Sequence, residues 1–113
     1  MGLEVIREVH RKKAEEREMR RKEVIDDVFN ALKELSDEVF FEEAYVFGSI
    51  TKPYQFWESS DIDIAFKRFD NEKLFSATGF LSARLERDVN LISIEKVHFR
   101  DKIIMEGLRW KKD

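Results

Sequence analysis

The stretch AYVFGSITKPYQFWESSDIDIAF, Ala44 to Phe66, decides the fold. Ala44-Tyr45-Val46-Phe47 is a short apolar run stopped by Gly48, which reads as a buried strand. Asp61 to Phe66 alternates: Asp61, Asp63 and Ala65 fall on one face, and Ile62, Ile64 and Phe66 on the other. That is a second strand, with two carboxylates on one side. The 11 residues between Ser49 and Asp61 hold the single Pro and three aromatics, Tyr54, Phe56 and Trp57, so they read as a turn with a short helix or loop. If the two strands are antiparallel neighbours, the exit of the first adjoins the start of the second. The Gly48-Ser49 turn then faces Asp61 and Asp63.

This juxtaposition has a chemical logic. Two carboxylates on one strand face repel unless a cation joins them, and Mg²⁺ takes one or two protein carboxylates plus substrate phosphates. Glycine lets backbone approach a phosphate closely, and neighbouring N–H groups and the Ser49 hydroxyl can donate to its oxygens. Lys52 adds one positive charge. Asp is depleted in strands, so two on one face carry more weight than the Gly-Ser turn alone.

Working outward, residues 3 to about 38 read as one helix, free of Pro and, past position 2, of Gly. Leu3, Val5, Ile6 and Val9 form a short apolar patch. His10 to Glu23 is almost purely charged. Val24, Ile25, Val28, Phe29, Leu32 and Leu35 then recur at three- and four-residue steps, the pattern of a helix lying on a core. Residues 1–23 are therefore expected to be a charged helical extension, and 24–113 the domain proper. A second helix is expected over 71–87 with Leu74, Phe75, Thr78, Leu81 and Leu85 inward. A third strand is expected over 89–94. A last helix over 97–108 would carry Phe99, Ile103, Ile104 and Leu108 as its stripe, with Gly107 opening a turn to a short extended piece around Trp110. The order α-β-α-β-α-β-α implies an α/β (α+β) fold, a small mixed sheet flanked by helices.

Composition bounds the function. A chain of 113 residues fits one domain. The net charge of −3 argues against a polyanion-binding protein, so nucleic acid is not an expected partner. The basic cluster Arg11, Lys12, Lys13, Arg17, Arg20, Arg21 and Lys22 is interrupted by Glu15, Glu16 and Glu18, and reads as a solvated helix face. The absence of Cys excludes disulfides, thiolate nucleophiles and Cys-based zinc sites, and suits a reducing, cytoplasmic setting. No apolar run approaches a membrane span, and the first residues lack signal-peptide order. His10 and His98 have no ligand-spaced neighbours and read as ordinary histidines.

The strand, Gly48-Ser49, spacer and Asp61-Ile62-Asp63 together resemble the signature of the DNA polymerase β-like nucleotidyltransferases, and within them the minimal nucleotidyltransferases. The resemblance covers roughly residues 24 to 112. It implies transfer of a nucleoside monophosphate, AMP from ATP in the first instance, with Mg²⁺ or Mn²⁺ held by Asp61 and Asp63. It implies nucleotide contacts from Gly48, Ser49 and Lys52. It also implies a partner, since minimal members are often antitoxins of small helical ribonuclease toxins of the HEPN type. The apolar patch at the start of the long helix offers a surface for such a partner or for a second copy.

Two positions depart from the pattern. Active members carry a third carboxylate in the third strand, and the matching position here is Asn90, which can hydrogen-bond but cannot act as a base. Asp88 lies one pleat repeat away. After Gly48-Ser49, where a basic turn ending in Gly is usual, the chain has Ile50-Thr51-Lys52-Pro53. The alternative expectation is thus a degenerate domain that binds nucleotide or partner without chemistry.

Overall fold

A computed structural model describes residues 2–112. Met1 and Asp113, the outermost residues of the two expected segments, lie outside the described residues. Helix α1 spans Leu3–Ser36, followed by strand β1 (Glu43–Phe47) and a 3-10 turn (Gly48–Thr51). Strand β2 (Ile62–Lys67), helix α2 (Leu74–Leu85), strand β3 (Val89–Ser93), helix α3 (Arg100–Glu106) and strand β4 (Leu108–Lys111) complete the chain; further 3-10 turns at Asn71–Lys73 and Ile94–Lys96 precede α2 and follow β3. The four strands form one mixed sheet in the order β3-β2-β1-β4. β1 is antiparallel to both β2 and β4, and β2 is parallel to β3.

The sheet has two unequal faces. Ala44, Val46, Ile62, Ile64, Phe66 and Val89 point toward α1 and α2 and join Val28, Leu32, Leu35 and Leu81 in the main core. Truncating a residue such as Ile64, fully buried there, costs about 2–5 kcal/mol. Phe41, Phe66, Phe69 and Trp110 close one end, with ring centroids 4.5–6.0 Å apart. The opposite face is thinner. Tyr45, Ala65, Ile94 and Ile103 make a small cluster beneath α3, and the rest of that face is open.

Three expectations on the helices change. Phe75 is 92% exposed, because the inward stripe of α2 runs through Ala77 and Leu81 with Leu74 and Leu85 beside it, and Phe75 lies about 100° from Leu74. Helix α3 is shorter than the expected 97–108, and only Ile103 of its stripe is buried. Phe99 and Ile104 stay exposed because α3 covers a sheet corner with a single row of contacts. Leu108 belongs to β4, which Gly107 makes possible. A Cβ on Gly107 would sit 2.5 Å from the Ile103 carbonyl oxygen and 3.3 Å from that of Val46.

Helix α1 dominates the outline, giving a longest dimension of 58 Å against 28 and 24 Å. Its 34 residues span about 50 Å at roughly 1.5 Å per residue. Only Val24 onward enters the core. Leu3, Val5, Ile6 and Val9 are exposed on the projecting end. The charged middle is not simply a solvated face. The Glu18 and Arg21 side chains are only 12% and 11% exposed and pair at 2.6 Å. Arg21 donates to the Ile50 carbonyl at 2.8 Å, Glu18 accepts from the Tyr54 N–H, and the Arg17 guanidinium stacks on Trp57 at 3.8 Å. The segment between β1 and β2 needs something to lie on, and these residues provide it. No helix among the described residues is long and apolar enough to cross a membrane.

Candidate active site

The open end of the thin sheet face brings three strands into register. Phe47 on β1 pairs with Asp63 on β2, and Asp63 pairs with Asn90 on β3. Parallel pairing of β2 with β3 is what places Asn90 beside Asp63. Asp61 stands just before β2, exposed, at the same end. The Asn90 amide nitrogen donates to Asp63 Oδ1 at 3.0 Å and reaches Asp61 Oδ2 at 3.4 Å. One neutral donor therefore ties the two carboxylates together.

The glycine of the turn abuts this cluster. Gly48 has φ +84°, a conformation that side chains rarely adopt, and an added Cβ would stand 2.7 Å from Asp63 Oδ2. Any larger residue would both strain the turn and push on the carboxylate. Ser49 follows in the same 3-10 turn, whose end is tied by Thr51 Oγ1 donating to the Gly48 carbonyl at 2.8 Å and Lys52 N–H donating to the Ser49 carbonyl at 3.1 Å. Lys52 is exposed beside it. The structure thus gathers Gly48, Asp61, Asp63 and Asn90 at one point, with Ser49 and Lys52 on the turn alongside. Asp88 takes another place. It precedes β3, its carbonyl accepts from Ile62 N–H at 3.0 Å, and its exposed side chain faces the far flank beside Asp61. No group of three or more His, Cys, Asp or Glu able to hold a metal occurs among the described residues.

Sequence reasoning missed how the segment before Asp61 is held. Arg87 uses one nitrogen on the carbonyls of Trp57, Glu58 and Ser60, at 2.9–3.1 Å, and lies over the Phe56 ring at 4.5 Å. Burial, with Arg20 nearby, holds its guanidinium below the ordinary arginine range. Phe56 is core, whereas Trp57 stays half exposed beneath Arg17. No local pattern marks these contacts, since the partners lie about 30 residues apart.

Residues 23–109 match the family model described as "Polymerase beta, Nucleotidyltransferase". The chain belongs to that nucleotidyltransferase family. No curated protein matches the sequence. Among solved structures, the fold is similar to a chain in the crystal structure of a toxin–antitoxin with AMP-PNP. The TM-score is 0.61 and the identity 24%, over 75% of this chain and 74% of that one. A mutant of the toxin–antitoxin MntA-HpeT is similar at TM-score 0.60 and 22% identity, over 75% and 74%. These likenesses concern the fold.

Proposed function

We propose that the protein transfers a nucleoside monophosphate, AMP from ATP, to a hydroxyl on a partner protein. The observation that carries this is the convergence of Asp61, Asp63 and the Asn90 position against a glycine turn with no room for a side chain. Family membership supplies the reaction class.

The donor set suits Mg²⁺ or Mn²⁺ accompanied by a nucleotide better than a bare ion. Two carboxylates leave most of an octahedral shell to phosphate oxygens and water. Asp61 and Asp63 would hold the cation, and when bound it would supply charge neutralisation for the phosphates. Asn90 can offer its carbonyl oxygen by turning its amide through 180°, which exchanges a donor for an acceptor at the same place. Gly48 admits the phosphate chain close to Asp63, Ser49 donates to it, and Lys52 balances its charge. In the reaction, the acceptor oxygen bonds to the α-phosphorus and the bridging α–β P–O bond breaks. Pyrophosphate leaves with that electron pair. Asn90 cannot take the acceptor proton, which passes to the solvent that reaches the exposed Asp61. General-base help is typically worth about 10²–10⁴-fold, so turnover is slow.

The structural likeness to toxin–antitoxin chains supports a toxin as partner; that it is of the HEPN type is what the resemblance to the minimal nucleotidyltransferases implies. The exposed Leu3, Val5, Ile6 and Val9 supply an apolar surface for it or for a second copy. A cytoplasmic setting fits this chemistry, which draws on intracellular nucleotide. A second reading, binding of nucleotide or partner without transfer, is favoured by Asn90, whose neutral amide hydrogen-bonds both carboxylates where a third carboxylate would stand. Incubation with Mg-ATP and the product of the neighbouring gene, followed by intact mass of both chains, separates the two. A gain of one AMP on the partner supports transfer. Stable complex formation with no mass change supports the second reading, and neither outcome would remove the basis for both.

A further inference from the structure

Two hollows flank Asp61 and Asp63, and they differ in charge. The one on the β3 side carries Glu58, Asp61, Glu86 and Asp88. Its one cation, Arg87, already serves three carbonyls. A triphosphate, with about four negative charges at neutral pH, is repelled there. The other hollow, about 200 Å³, lies between Phe47, the Gly48–Thr51 turn and α3. Phe47, Phe99 and Ile103 give it apolar walls, and Lys52 and Lys102 stand on its lining, with Glu106 the one acid. Neither lysine makes an ion pair among the described residues. Gly48 belongs to this hollow and to the Asp63 contact alike, so the two spaces share a wall.

We propose that this hollow is the seat of the donor nucleotide, with Lys102 of α3 a second phosphate-binding cation and Phe99 the aromatic face against the nucleobase. The proposal deepens the reading above and rests on it. Helix α3 then has a task beyond covering Tyr45 and Ala65. Phe99, Lys102 and Glu106, on or beside α3, are exposed and line the hollow. Phe99 is 41% exposed although aromatic, which leaves area for a stacked base. Lys102 keeps three donors free for phosphate oxygens.

The test is isothermal calorimetry on the full chain with each of the four magnesium nucleoside triphosphates and with magnesium tripolyphosphate, which lacks base and sugar. Lys102→Ala is expected to weaken the nucleotide and tripolyphosphate alike by about tenfold, and Lys102→Arg to recover most of the loss. Phe99→Ala is expected to weaken the nucleotide by about tenfold yet leave tripolyphosphate unchanged. Both side chains are exposed, and the unliganded melting curve shows whether each variant folds. If Phe99→Ala fails to fold, Lys102→Ala against Lys102→Arg decides. Full affinity in Lys102→Ala and Phe99→Ala, with binding abolished by Asp61→Asn/Asp63→Asn, overturns the seat but keeps the carboxylate site. A wild-type chain that binds none of the four nucleotides overturns both.

Discussion

Replacing Asn90 by Asp puts a third carboxylate where a neutral amide now joins two. The substitution removes hydrogen bonds at 3.0 and 3.4 Å and substitutes like charges at those separations. In a water-like dielectric, two unit charges 3 Å apart repel by about 1.4 kcal/mol. The lost hydrogen bonds contribute roughly 1 kcal/mol more. Asn90 is exposed, so the new carboxylate can swing into solvent, and the net destabilisation without metal is about 2 kcal/mol. For a chain of this size that lowers Tm by about 8 °C. A cation reverses the sign of the effect, because three carboxylates then surround a positive charge. A ligand at about 30 times its Kd restores some 2 kcal/mol. Thermal melts of wild type and Asn90→Asp, with EDTA and with Mg- or Mn-ATP, read both halves. The variant is expected to melt lower in EDTA and to gain more from metal-nucleotide than the wild type. Equal melting in EDTA, or a smaller gain with metal-nucleotide, refutes the reasoning.

Gly48→Ala is expected to lower Tm by about 4–8 °C, from roughly 1–2 kcal/mol of left-handed strain and a Cβ 2.7 Å from Asp63, and an unchanged melt would contradict this. Arg21→Ala removes a 2.8 Å hydrogen bond to the Ile50 carbonyl and leaves Glu18 with only the Tyr54 N–H, so Tm is expected to fall and limited proteolysis to speed up between residues 52 and 59, and an unchanged cleavage rate would contradict this. Stability also carries a pH signature. The hydrogen bond from Tyr45 holds the Glu43 carboxyl below its usual range, so its contribution is present above about pH 4.3 and is lost as pH falls through the lower folded value. Tyr45→Phe is therefore expected to cost most near neutral pH, and a melting difference that grows toward pH 3 would count against the pairing.

The parts of the molecule that repeat a local rule were legible in the sequence. Val24 to Leu35 shows its buried stripe at three- and four-residue steps, and Ile62, Ile64 and Phe66 show theirs by alternation. The meeting of Gly48 with Asp63 followed from a single assumption, antiparallel neighbours, and the register bears it out. The place of Asn90 needed the parallel pairing of β2 with β3, which local periodicity cannot supply; the resemblance marked Asn90 only as the position of a third carboxylate. Contacts between distant charges were out of reach. Arg17, Glu18 and Arg21 sit in a run where most charges point to solvent, and nothing in their spacing tells which three will support the segment from Ile50 to Trp57. Helix α3 was overdrawn for a related reason. Apolar residues at helical spacing can face a thin edge as well as a core, and Phe75, Phe99 and Ile104 show that exposure depends on what lies opposite.

The central claim is that Asp61 and Asp63, beside the Gly48 turn, hold a metal-bound nucleotide. Calorimetric titration of Mg-ATP into wild type and Asp61→Asn/Asp63→Asn tests it most directly, with matching far-UV spectra to establish that both chains are folded. The account predicts saturable binding to the wild type that depends on Mg²⁺ and vanishes in the double variant. Equal binding to the two chains, or binding to the wild type undiminished by EDTA, would contradict it.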